Sequence, residues 1–158
     1  MVAELRKIDK SLYETDYNLW VLETVDKLRR RDLGALDWEN LIEEVEALSR
    51  RDKKKVRSLL KQLLEHLLKL EYWRSELSAN GNHWRGEVQN FRQLLRYELE
   101  DSPSLKPYLA EVFGETYLDA LEVFCTKSGL SNHLLPTAPS ADLERALDKD
   151  WFPETPED

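Results

Sequence analysis

The sequence predicts an all-α protein, and three observations carry that prediction. Apolar residues recur at steps of three and four along most of the chain, and no strand-length run alternates apolar with polar. Only five glycines and six prolines interrupt 158 residues, so long helices fit between the breaks. Hydrophobic residues make up 41% and charged residues 34%, which is globular rather than disordered composition. The expected architecture is a compact bundle of about five main helices plus a short C-terminal helix. It reads as a single domain over 1–158, with 1–12 and 154–158 loosely ordered, and is long enough to bury a substantial core.

The first helix is expected from about Asp16 to Arg31, with Tyr17, Trp20, Val21, Val25 and Leu28 on its apolar face. Arg29, Arg30 and Arg31 sit where the helix dipole favours cations, and Gly34 then breaks the chain. A second helix starts at the N-cap Asp37, and Trp38, Leu41, Ile42, Val45 and Leu48 form one inward stripe. The pattern resumes at Val56, Leu59, Leu60, Leu63, Leu64, Leu67 and Leu68. One helix from Trp38 to Arg74 would be about 55 Å long, whereas a compact domain of this size is about 40 Å across. Ser49 with Asp52 three residues on also reads as a capping box. A break or sharp kink is therefore expected at 49–52, although it would crowd basic residues at a new helix N-terminus. The leucine-rich half covers an arc wide enough to place it at the centre of the bundle.

Ser78-Ala79-Asn80-Gly81-Asn82 has the chemistry of a loop. A helix from about His83 to Glu100 follows, with Trp84, Val88, Phe91, Leu94, Leu95 and Leu99 inward. Ser102 to Pro107 is a break and restart, in which Ser104 can cap and Pro107 falls in the first turn. The next helix carries Tyr108, Leu109, Val112, Phe113, Tyr117, Leu121 and Phe124 and ends before Gly129. Pro136 and Pro139 mark an irregular stretch. A short helix from about Ala141 to Leu147 precedes Trp151-Phe152-Pro153, an aromatic clip expected to pack back on the bundle. Trp20, Trp38 and Trp84 fall on inward stripes; Tyr72 and Trp73 are less committed and could line a groove for a partner.

Net charge is −8, from 23 basic and 31 acidic residues, which argues against a dedicated nucleic-acid binder. One cysteine, Cys125, allows no intrachain disulfide and no cysteine-based zinc site. No apolar stretch reaches the length of a membrane span, and the start of the chain has no signal-peptide core. A bacterial-type cytoplasm fits these features.

Few residues suggest chemistry. Glu39, Glu43 and Glu46 lie on one helical face, which reads either as part of a metal or acid–base site or as a solvated flank. His66 reads as an acid–base group or as a boundary histidine bonded to a neighbour. It lacks the glutamate three residues before it that a di-iron bundle uses. Cys125 on an apolar helix reads as an inert thiol. The basic run Arg50, Arg51, Lys53, Lys54, Lys55 and Arg57 could grip phosphates, but no nucleic-acid-binding signature accompanies it. No catalytic residue, metal ligand set or cofactor is expected.

Several strings resemble a bacterial family catalogued as domain of unknown function twenty-nine. They are YETDYNLW at 13–20, LDWENLIEEVEAL at 36–48, LLEHLLKLEY at 63–72, Trp84-Arg85, DSPSLKPYL at 101–109, Gly129-Leu130 and Asp150-Trp151-Phe152-Pro153. The resemblance covers nearly the whole chain and implies an all-helical fold of this length but no activity. It points to Trp38, Asn40, Glu43, Glu44, His66, Lys69, Tyr72 and Trp84, and to a polar network of Asn40, Glu44 and His66 between two helices. The function expected is a small helical interaction or regulatory module, binding another protein or a second copy of itself by a helix face or by the region from Tyr72 to Trp84. The alternatives are an enzyme or metal protein using these carboxylates and His66, and a nucleic-acid-associated or acidic regulator.

Overall fold

The computed structural model describes residues 11–154. Every regular element among them is helical. The expectation that 1–12 and 154–158 are loosely ordered falls largely outside the described residues, although Leu12 already lies in a helix. The elements are α1 (Leu12–Thr15), α2 (Tyr17–Arg29), α3 (Trp38–Tyr72), α4 (Arg74–Asp101), α5 (Leu105–Ser128) and α6 (Leu143–Leu147), with single 3-10 turns at Leu33–Ala35 and Asn132–Leu134. Their contacts group into two units, residues 1–50 and 51–158.

In the first unit, Asp16 caps α2 by accepting the Leu19 N–H at 3.0 Å. Helix α2 ends at Arg29, close to the expected end at Arg31, and the chain turns at Arg31 rather than at Gly34. Arg31 takes a left-handed φ of 59°, its N–H donates to the Leu28 carbonyl, and the Asp32 N–H reaches back to the Lys27 carbonyl at 3.0 Å. That is a Schellman closure with arginine where glycine is usual. Asp37 then caps α3 through the Asn40 N–H (3.2 Å), as its position predicts.

The break expected at 49–52 does not occur: α3 runs unbroken from Trp38 to Tyr72 over 35 residues, so the second and third expected helices are one. Residues 49–57 contain neither glycine nor proline. Two new helix ends would leave up to about eight backbone groups without helical partners, of which one capping box satisfies two. The crowded bases oppose a new N-terminus as well. The length bound applies to a helix confined to one compact unit, and α3 continues from one unit into the next.

In the second unit, eight successive α3 residues, Leu63 to Leu70, are all buried, so this stretch is covered on every side, as its wide apolar arc predicts. Val88 and Leu95 of α4, Leu109, Leu121 and Phe124 of α5, and Ala146 of α6 complete the core. The loop expected at Ser78–Asn82 is helix, because α4 begins directly after a single non-helical residue, Trp73. Trp73 stacks on Trp84 at 5.5 Å and meets Phe124 edge-on, so packing rather than turn chemistry places the corner. Asn80 bonds back to Glu76 at 3.0 Å, and Gly81 is buried where a Cβ would meet Leu77 at 3.3 Å. Ser104 stands at the α5 N-cap position but makes no side-chain cap bond, and Gly129, at φ 74°, closes the helix as expected. The last stretch is pinned on the bundle by Tyr117, whose hydroxyl donates to the Pro136 carbonyl (2.8 Å), and by Arg92.

Candidate functional site

Among its described residues the first unit buries few side chains: Trp20, Leu36 and Thr24. Tyr13 and Tyr17 pack around Trp20 at 4.8 and 6.0 Å, and both hydroxyls donate to the Glu44 carboxylate, at 2.6 and 2.7 Å. This clamp accounts for the YETDYNLW string and for Glu44. The hydrogen bond to Glu44, then burial and the same negative charge, push the Tyr13 hydroxyl up to about 12. The clamp turns one side of α3 toward the tyrosines and leaves the other outward. Trp38, Ile42, Val45 and Leu48 are each about half exposed, which corrects the inward placement expected for that stripe and for Trp38. Trp38 keeps one anchor, its Nε1–H donating to the Leu33 carbonyl at 3.2 Å.

Helix α2 repeats the pattern, with Leu19, Leu22, Val25 and Leu28 exposed at steps of three. Among the described residues, ten of the fifteen large exposed hydrophobic ones therefore fall between Tyr17 and Leu48, and five in the much longer second unit. Acids follow directly on the exposed positions: Glu23 after Leu22, Asp26 after Val25, Glu39 after Trp38, Glu43 after Ile42 and Glu46 after Val45. Between residues 11 and 50, Asp and Glu outnumber Lys and Arg ten to five. Glu43 and Glu46 share Arg50 (2.5 and 3.9 Å), and Asp26 holds Arg30 (2.6 Å). These exposed pairs are each worth about 1 kcal/mol or less.

The remaining singled-out residues lie in the second unit. Glu65 is buried between Lys127 (2.5 Å) and Lys69 (3.4 Å). Burial alone would raise its carboxyl, but the Lys127 bond and the two ammonium charges outweigh it and hold the group below the usual carboxylate range. Lys69 also lies 6.0 Å from the Trp84 ring. His66 is buried against Phe91, with Nδ1 2.8 Å from the Gln62 carbonyl, which assigns the proton to Nδ1. Burial pushes its pKa down, and the Gln62 bond only partly opposes this. Tyr72 is half-buried and pushed up to about 12 by burial and by Glu71. The expected network of Asn40, Glu44 and His66 does not form. Asn40 bonds Asp37 at 2.6 Å, Glu44 bonds the two tyrosines, and His66 bonds its own helix. All three lie on α3, and Asn40 and Glu44 belong to the other unit, so no two helices face each other through them.

A saturated Glu65 and a neutral His66 in local hydrogen bonds offer no poised acid–base pair. The Cys125 thiol is pushed up by burial, away from the reactive thiolate. Among the described residues no group of His, Cys, Asp and Glu could hold a metal ion. Several of the bases in 50–57 are engaged: Arg50 with Glu43, Lys55 with Glu98, Arg57 with Glu115 and Asp119 (both 3.4 Å), and Lys53 over the Tyr108 ring. A groove of about 910 Å³ beside α4 and α6 is lined by Arg92, Arg96, Lys106 and Arg145, with Glu144 and Asp148 among the facing acids. Its walls pair internally, Lys106 with Glu144 at 2.8 Å and Lys149 with Asp150 at 3.0 Å.

Arg92 is the residue that pattern reasoning missed. It is 4% exposed, its Nε and Nη2 donate to the Ala146 and Trp151 carbonyls at 2.8 and 2.7 Å, and its guanidinium covers the Phe152 ring. Burial pushes its pKa down to about 10, with Asp148 opposing. Its signal was available: Val88, Arg92 and Leu95 form one stripe, so a charge sat at an inward position.

No curated protein and no solved structure matches the chain. Residues 12–152 match the family described as a domain of unknown function, and the chain accordingly belongs to that family, DUF29.

Proposed function

We propose that this protein is a helical protein-interaction module that docks through the outward face of its first unit. The observation that carries the reading is the concentration of exposed apolar side chains between Tyr17 and Leu48, beside two enclosed apolar residues among the described residues of the same unit. Ten such side chains, each about half exposed, present on the order of 800 Å², which is what one partner contributes to a standard interface. Scattered single apolar residues need no explanation, but so many on one small unit, four of them in one stripe along α3, do. The buried Glu65 and Lys69 of the second unit pair with each other, and the buried His66, Arg92 and Thr116 bond backbone carbonyls, which favours a structural over a catalytic role for them. A single half-buried cysteine needs no oxidising compartment, and a bacterial cytoplasm suits the module.

The test is differential capture. Tagged wild-type chain, an Ile42→Ser/Val45→Ser chain and an Arg145→Ser control are purified natively side by side. The reading expects the bound protein to disappear with the first variant and to remain with the control. Equal retention by all three overturns it.

A further inference from the structure

The same face carries a signature that selects its occupant, and this step rests on the interaction reading above. We infer that the partner is a basic amphipathic helix of another protein, about three turns long. Trp38, Ile42, Val45 and Leu48 are spaced four, three and three apart along α3 and offer a stripe about 15 Å long. That length suits a helix with anchors at i, i+3 or i+4, and i+7.

The flank of the stripe sets the charge. Glu39, Glu43 and Glu46 each follow an exposed apolar residue by one position, so they form a parallel acidic row displaced about 100° around α3. On α2, Glu23 and Asp26 stand in the same relation to Leu22 and Val25. Among the described residues no ion pair reaches Glu23 or Glu39. An incoming helix with lysine or arginine beside its apolar stripe meets carboxylates at each turn, and an acidic one meets repulsion.

The same row disfavours a second copy of this chain. When two copies of one helix stripe pack antiparallel about a two-fold axis, the same flank of each faces the other. Overlaying Trp38–Leu48 on itself brings Glu39, Glu43 and Glu46 against their own counterparts. Parallel pairing sets the row against the opposite flank of the other copy, Asp37, Leu41, Glu44 and Ala47, which offers it acids and no base.

The test uses the full chain and three synthetic 14-residue peptides: a leucine/lysine amphipathic helix, the same helix with glutamate for lysine, and a scramble of the leucine/lysine peptide. Affinities are read by fluorescence anisotropy at moderate salt, and chain mass by sedimentation equilibrium. The expected result is binding of the basic helix at least tenfold tighter than either other peptide. Ile42→Ser/Val45→Ser should lose at least tenfold of it, and Glu39→Lys/Glu43→Lys/Glu46→Lys should reverse the preference toward the acidic helix, both with unchanged circular dichroism. Equal binding of the scramble would reduce the effect to unspecific charge attraction and overturn the inference. A wild-type dimer that Ile42→Ser/Val45→Ser dissociates would name a second copy as occupant, overturning the inference while keeping the interaction reading. A monomer that binds none of the peptides, with the capture experiment also empty, overturns both.

Discussion

Replacing Arg92 by methionine perturbs the second unit at one well-defined joint. Arg92 is 4% exposed, and its guanidinium ties α4 to the last segment through two carbonyls, at 2.8 and 2.7 Å. A hydrogen bond from a charged donor contributes about 1.5–3 kcal/mol, so the two together contribute about 3–6 kcal/mol. Against this stands the burial of a cation whose Nη1 has no partner, a cost of about 1–3 kcal/mol that methionine removes. Methionine also keeps much of the apolar stem against Phe152. The balance is a net loss of about 2–3 kcal/mol for Arg92→Met. Urea unfolding measures the loss, and amide hydrogen exchange localises it: Ala146–Phe152 should lose protection first. Lysine cannot span both carbonyls with one ammonium, so Arg92→Lys should recover less than half of the stability. A methionine variant as stable as the parent would refute the reasoning, because the buried cation would then be a net cost, as some buried charges are.

Further predictions follow from backbone geometry and from titration. Gly86 and Gly114 lie inside helices with nothing within 4 Å of the place an alanine methyl would take, so Gly86→Ala and Gly114→Ala should each stabilise by about 0.8–1 kcal/mol. Gly129→Ala, at φ 74°, should instead destabilise by about 1–2 kcal/mol. Arg31→Gly relieves the same left-handed strain at the end of α2 and should stabilise the first unit by up to about 1 kcal/mol in the same urea assay. For pH, His66 is depressed in the folded state, so its contribution is full above its unfolded value near 6.5 and is lost as pH falls through the lower folded value. Glu65 is also depressed, and its contribution begins to be lost below about 4.3. Urea midpoints should therefore fall in two stages on acidification. His66→Phe should remove the first stage and leave the second; an unchanged profile would contradict the assignment.

How far the sequence speaks for itself differs between the two units. The centre of the second unit was legible because Leu63 to Leu70 is apolar on several faces, and the ends of α5 were legible because Pro107 and Gly129 admit few other uses. The corner at Trp73 was not, since it is made by tryptophan stacking between residues distant in sequence, while the nearby Asn80-Gly81-Asn82 has turn chemistry that helix packing overrides. The continuity of α3 was obscured by a capping signal that is real but smaller than the cost of two new ends. At the candidate site, periodicity found the Trp38–Leu48 stripe but read it as core, because apolar spacing shows which side is apolar and not what covers it. The family strings drew attention to Glu44, and the two tyrosine hydroxyls on its carboxylate show why it matters.

The central claim, that this stripe is left uncovered for a partner, is tested most directly by measuring the stability of the isolated Ile42→Ser/Val45→Ser chain beside its binding. Substitutions on a free surface change stability by about 0.5 kcal/mol or less, whereas truncating enclosed side chains of this size costs about 2–5 kcal/mol each. The account predicts an unfolding free energy within about 1 kcal/mol of the parent at every protein concentration, together with loss of partner binding. A drop of several kcal/mol in the dilute, unpartnered chain would show that the stripe is already enclosed and would contradict it.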